Sequence, residues 1–545
     1  MTQDVYDEEI PVLIAGGSLV GLSTALLLGW HGVSSLAVER HPGTAIHPRA
    51  ALFNQRTIEI YRSVGVEPAI VEASGLEFVQ NGAIVSVESL AGRELEYYFR
   101  NINDGVEGLS PSPRIFITQI GLEPILKARA KELGARIEWG VELVSFTADE
   151  DGVTAVLRER DGGAERRVRA GYLVAADGSH SPVRERLGIP LLGHGSFSNS
   201  ITIYFRADVR PLLGERNLSV VYLFGSRQQG FFRFSKAGDA GFLVVNKALD
   251  ESGELTSDLW GDTSEERCVE LVRDALGAPD LPVEIENVQR WNACAEWAER
   301  FQAGRVFVAG DAAHNMPPTG GFGGNVGVQD AHNLAWKLEL VLRGAAGPEL
   351  LSTYDEERRP VGEATVEQAY SRYVLRLAPE LGKENLQPIV PEATVELGYR
   401  YRSAAVLPDG TDDDGAAFEN SLEPSGRPGT RAPHVVLERA GTPVSTLDLI
   451  DRNFLVLAGP DGERWCEAAR AAEAGLGIRV DAHRIGSDDL SDDSGRFVDV
   501  FGTGSEGAVL VRPDGFIAWR AQAASADADG VLTTALAQVL ARPVA

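Results

Sequence analysis

Asp311 stands directly after a short apolar run, Val306-Phe307-Val308-Ala309, which Gly310 stops. A glycine-rich loop follows, Pro317-Pro318-Thr319-Gly320-Gly321-Phe322-Gly323-Gly324-Asn325. It leaves several backbone N–H groups uncovered at a helix start, where orphan donors and the positive dipole end gather. A flat, partly anionic ligand suits such a place. Near the other end of the chain, Val12-Leu13-Ile14-Ala15 runs into Gly16-Gly17-Ser18-Leu19-Val20-Gly21, and Leu36-Ala37-Val38-Glu39 follows an apolar helix. In this pattern Gly16 permits a tight turn, Gly21 lets helix pack on strand, the helix start meets a pyrophosphate and Glu39 meets a ribose hydroxyl. Ser18 takes the middle glycine position and is small enough to let phosphate approach. Tyr172 to Asp177 repeats the strand-then-acid design.

These groups need a scaffold of strands and helices. Ala331, Leu334, Ala335 and Leu338 have the spacing of one helix face, which puts Lys337 in solvent and Gly344 at the helix end. Arg136 to Leu157 reads as a small antiparallel meander. From about Gly193 to Glu286 the runs turn aromatic, as in Val220-Val221-Tyr222-Leu223-Phe224 and Phe231-Phe232-Arg233-Phe234, and predict a sheet able to bury a core or a flat aromatic ligand. Leu407 to Gly429 is acidic, rich in Pro and Gly and without periodicity. An α/β pattern closes the chain.

The 545 residues allow two to three cores, and a formal charge of -28 opposes nucleic acid or anionic membrane as partners. The N-terminus has acids where a signal peptide needs lysines, so a cytoplasmic protein is expected. The three cysteines show neither C-x-x-C nor metal-ligand spacing. No motif supports a serine hydrolase, a P-loop NTPase or a zincin.

The segment from Arg305 to Leu338 resembles the second flavin-binding motif of the FAD-dependent aromatic hydroxylases, most closely those acting on anthracycline, tetracenomycin or angucycline-type polyketides. The resemblance implies an α/β fold in which residues 1–75, 106–190 and 287–405 form a Rossmann-like FAD-binding domain. Residues 76–105 and 191–286 would form an inserted β-sheet substrate domain, 406–428 a linker, and 429–545 a redox-silent thioredoxin-like domain left with dimerisation or support. It assigns FAD to Gly16, Gly17, Ser18, Gly21, Glu39, Arg40, Arg49, Gln119, Leu143, Asp177, Asp311, Pro318, Gly321, Gly323, Gly324 and Asn325. NADPH or NADH would reduce the flavin transiently, and dioxygen would give a C4a-hydroperoxide that oxygenates a phenolic ring. Tyr222 and Arg376 match a tyrosine and an arginine near the substrate, with His314 as a rival base. Oxygen insertion into a ring C–C bond, quinone formation and a non-catalytic flavin-binding role stay open.

Overall fold

The computed structural model describes residues 6–46, 50–250 and 252–543. Its first sheet runs in the order Gln302–Ala303, Val306–Val308, Glu165–Ala175, Glu8–Ala15, Ser35–Glu39, Arg136–Trp139. The last five of these strands pair in parallel. They read as apolar runs because helices such as Leu19–Trp30 and Gly323–Leu342 cover the sheet. From Glu8–Ala15 the chain moves to Ser35–Glu39 on one side, and Glu165–Ala175 lies on the other. This is a topological switch point, where a crevice opens at the carboxyl ends of the strands.

The second sheet has the order His314–Asn315, Glu284–Ala298, Leu191–Arg206, Ala240–Leu249, Gln228–Phe234, Leu218–Phe224, Ala83–Val87, Glu94–Phe99. One face covers a hydrophobic core closed by the helix Glu265–Leu276. The other carries Tyr222, Phe224, Phe231 and Trp291 toward the end of the helix Ser352–Arg376. A third, four-stranded sheet, Val480–Arg484, Phe454–Ala458, Ala508–Val511, Ile517–Ala521, packs with the helices Glu463–Leu476 and Ala528–Val539.

Three local expectations need correction. Lys337 is fully buried, not in solvent, and donates to Asn333 Oδ1 and Glu357 Oε2, each at 2.8 Å. Its helix lies between two cores, with Leu334 and Leu338 in one and Trp336 and Leu340 in the other, so it has no solvent face there. Arg136–Trp139 pairs in parallel with Ser35–Glu39 and belongs to the first sheet, outside the antiparallel meander. The strand Glu284–Ala298 stays in the second sheet along its whole length, because it pairs with Leu191–Arg206 as far as Ala298, past the boundary expected at 287. The acidic connection after Leu407 is tied to the third sheet: Leu407 N–H donates to Ala518 O at 2.8 Å, and Arg520 Nε to Asp409 Oδ2 at 2.8 Å.

Candidate flavin site and aromatic chamber

At the switch point the backbone leaves no room for side chains. Gly16 has φ +110°, and a Cβ there would lie 2.1 Å from Ala176 O, at the end of the neighbouring strand. A Cβ on Gly21 would lie 2.0 Å from Gly16 O. Gly310 and Gly327 both abut Val20 Cγ2, at 2.7 and 2.6 Å from their absent Cβ atoms, which brings the helices Leu19–Trp30 and Gly323–Leu342 together. Gly324 then sits over Leu19, its Cβ position 3.0 Å from Leu19 Cδ2. Two helix N-termini therefore converge on one crevice, and both offer positive potential to an anionic ligand.

Side chains hold this cradle in shape. Glu39 Oε2 accepts from Gly17 N–H at 2.7 Å and Oε1 from His41 N–H at 2.9 Å. Asn325 donates to Leu52 O and Gly321 O at 3.0 and 2.7 Å and accepts from Asn54 N–H at 3.0 Å, so its amide locks the loop. Gln119 Oε1 accepts from Ala50 N–H at 3.1 Å, and its amide donates to Ser18 Oγ at 3.3 Å. Asp177 Oδ2 accepts from Val183 N–H at 3.2 Å, while Oδ1 is buried with no partner among the described residues. Burial raises that carboxyl above its usual range. Asp311 is exposed on the turn Gly310–Ala312, Gly321 (φ +66°) abuts Leu52, and Pro318 is exposed beside it. Gly323 opens the second helix, and Leu143 and Arg40 line the adjoining strand edge and turn. Arg49 lies outside the described residues.

Glu123 went unassigned in the sequence, although it follows Gln119 by one helical turn and must share its face. It is fully buried and accepts from Ser18 Oγ at 2.6 Å, Ala45 N–H at 2.7 Å and Gln119 Nε2 at 3.1 Å. Burial pushes its pKa up against those bonds.

Tyr222 and Arg376, far apart in sequence, meet. Both meet around Tyr98, whose ring the Tyr222 ring approaches edge-on at 5.7 Å. Arg376 Cζ lies 4.9 Å from the Tyr98 ring centre and Nη2 3.7 Å from Glu392 Oε1. Burial raises the Tyr222 pKa and the Arg376 cation opposes it without cancelling it. Tyr222 thus remains a neutral phenol beside a cation, among Phe197, Phe231 and Trp291.

His314 is elsewhere in this packing. It is fully buried, with Nε2 2.8 Å from Asp330 Oδ2, and that oxygen also accepts from Gly310 N–H at 3.0 Å. Arg358 Nε donates to the other Asp330 oxygen at 2.8 Å. Burial would raise Asp330, but Arg358 and His314 outweigh it and hold the carboxylate ionised. Next to Arg358, Glu357 accepts from Arg512 Nη1 and Nη2 at 2.6 and 2.8 Å. Arg512 Nε also donates to Asp514 Oδ1 at 3.0 Å. A buried ionic seam therefore leads from the third sheet to the residue before Asp311.

Residues 9–369 match the family described as an FAD binding domain, and residues 425–543 the family described as aromatic-ring hydroxylase, C-terminal. This chain belongs to the FAD-dependent aromatic hydroxylases. It is 51% identical to a 4-methyl-5-nitrocatechol 5-monooxygenase of Burkholderia sp over 98% of both chains. It is 41% identical to a tetracenomycin A2 monooxygenase-dioxygenase of Streptomyces glaucescens over 98% of this chain and 97% of the other. The crystal structure of a ternary complex of aklavinone-11 hydroxylase with FAD and aklavinone superposes with a TM-score of 0.92 at 41% identity, covering 99% of this chain and 100% of that one. FAD fits the hydroxylase's crevice: the absent Cβ atoms at Gly16 and Gly324 leave backbone bare, and the open Asp177 Oδ1 faces burial without a partner. Among the described residues of this hydroxylase no carboxylate, His or Cys cluster could hold a metal, and no helix is long and apolar enough to cross a membrane.

Proposed function

We propose that the enzyme hydroxylates a phenolic ring of a polycyclic aromatic polyketide, with NAD(P)H as reductant and dioxygen as oxidant. One oxygen atom enters the ring and the other leaves as water. The observation that carries this reading is the meeting of Tyr222 and Arg376 in an aromatic chamber. FAD held there would supply the acceptor for hydride from NAD(P)H and the activation of dioxygen. Gly16, Gly17, Ser18, Gly21, Glu39, Arg40 and Leu143 would hold its ADP half, and Arg49, Gln119, Asp177, Asp311, Pro318, Gly321, Gly323, Gly324 and Asn325 its flavin half.

The chain's own residues prepare the substrate. Arg376 stabilises a phenolate over a phenol, which loads electron density onto the carbon to be oxygenated. Tyr222 stays protonated and donates to that oxygen, fixing the ring's orientation. Phe197, Phe231 and Trp291 exclude water. His314, tied to Asp330, would act on the substrate only through the loop it supports. The third sheet, in a thioredoxin-like arrangement without C-x-x-C, serves support or dimerisation.

A second reading has its own support. The 51% identity to a nitrocatechol monooxygenase favours a one-ring nitrophenol as substrate. NADPH oxidation by the purified holoenzyme, followed with 4-nitrocatechol and with aklavinone under ¹⁸O₂, tests both. Label in a hydroxylated aklavinone supports the polyketide reading, and nitrite release from the catechol alone replaces it with the second. Flavin-bound protein that oxygenates neither refutes both.

A further inference from the structure

The strand Glu94–Phe99 forms an edge of the second sheet and pairs with Ala83–Val87. Its alternation puts Tyr97 against the core closed by Glu265–Leu276 and Tyr98 against the aromatic chamber. Tyr98 is only half-buried, because it also lines a surface groove of about 560 Å³ with Leu95, Tyr97, Phe99, Arg100 and Asp104. The acid at one end of this groove is engaged: Glu94 accepts from Arg216 Nη1 at 3.0 Å and from Tyr97 Oη at 2.9 Å. Arg100 lies over the Tyr97 ring at 4.8 Å. Tyr97, Tyr98 and Phe99 are the aromatic part of this lining, and the Tyr98 ring stands between the groove and the Tyr222–Arg376 pair.

We propose that Tyr98 is a specificity-determining partition: its ring sets how far a fused aromatic system can extend from the Tyr222–Arg376 pair toward the groove along the edge strand. A one-ring phenol fits behind it, whereas a multi-ring phenol needs the ring turned outward. The edge position makes that turn cheap, since Glu94–Phe99 has a sheet neighbour on one side and solvent on the other. Its ring contacts, edge-on to Tyr222 and beneath Arg376, hold it inward without a buried hydrogen bond to break. The inference rests on Tyr222 and Arg376 being the substrate pair.

Binding separates it from that reading. Flavin absorbance of the FAD-loaded holoenzyme is titrated with 4-nitrocatechol and with aklavinone, for wild type, Tyr98→Ala, Tyr98→Leu and Tyr98→Phe, with steady-state KM and kcat beside it. Truncation to Ala or Leu is expected to shift the ratio of the two Kd values by roughly tenfold toward aklavinone, carried by KM rather than kcat. Tyr98→Phe keeps the wild-type ratio, because it keeps the ring. Equal weakening of both ligands, or an unchanged ratio in both truncations, overturns the partition. If wild type binds both ligands but oxygenates neither, the proposed reaction falls while the ratio still decides Tyr98.

Discussion

In the flavin cradle the decisive atoms are backbone, held by approaches that no Cβ permits, such as Gly16 against Ala176 O and Gly21 against Gly16 O. In the aromatic chamber they are side chains carried by separate segments, Tyr98, Phe197, Tyr222, Trp291 and Arg376. Backbone geometry is fixed by spacing along the chain, and almost any change to it is lost. A chamber of side chains can be re-lined one residue at a time without touching the cradle. Relatives that match nearly the whole chain carry names as different as a nitrocatechol monooxygenase and a tetracenomycin A2 monooxygenase-dioxygenase.

That contrast can be broken by substitution. Gly16→Ala has both a positive φ and a carbonyl 2.1 Å from the new Cβ against it, so the protein should purify colourless, as the ratio of flavin to protein absorbance will show. Arg376→Ala should do the reverse, keeping its flavin while substrate-stimulated turnover falls roughly 10²-fold. A colourless Arg376→Ala, or a yellow Gly16→Ala with normal turnover, would dissolve the distinction.

Two smaller effects sharpen it. Arg512→Met leaves Glu357 with Lys337 as its remaining buried cation, and should cost about 3–5 kcal/mol in denaturant unfolding. Its flavin affinity should drop as well, because the seam ends at Gly310, whereas the affinity for substrate of the protein that keeps its flavin should not. Glu396 gives a pH signature beside the chamber. Burial pushes its carboxyl up to about 7 even though Arg114 Nε lies 3.0 Å away. The folded pKa is above the unfolded one, so the native state binds the extra proton between them. Stability therefore falls as pH rises from about 4.5 to about 7, by roughly 3 kcal/mol. In Glu396→Gln that decline should be absent from melting curves taken across the same window.

The same contrast explains what the sequence disclosed. The close approaches at Gly16 and Gly21 and the bond from Gly17 to Glu39 follow the pattern because a strand, a glycine turn and a helix start have fixed spacing. Tyr222 and Arg376 were reachable only through resemblance, and nothing in Glu94–Phe99 marked Tyr98 as the residue facing them. Lys337 was misread because helical periodicity assumes one buried face, while this helix runs between two cores. Glu123 was hidden by its charge, since a buried carboxylate reads as surface until its donors, Ser18, Ala45 and Gln119, are seen around it.

The seam also has a consequence for synthesis. Arg512 and Asp514 leave the ribosome after Lys337 and Glu357, and Arg512 helps to balance the charge of Glu357. Until they arrive, Glu357 lacks its bidentate cation, and the support that reaches Gly310 through the next residue, Arg358, is incomplete. A chain cut short before Arg512 would leave Glu357 with Lys337 as its buried cation and the seam unfinished at its third-sheet end.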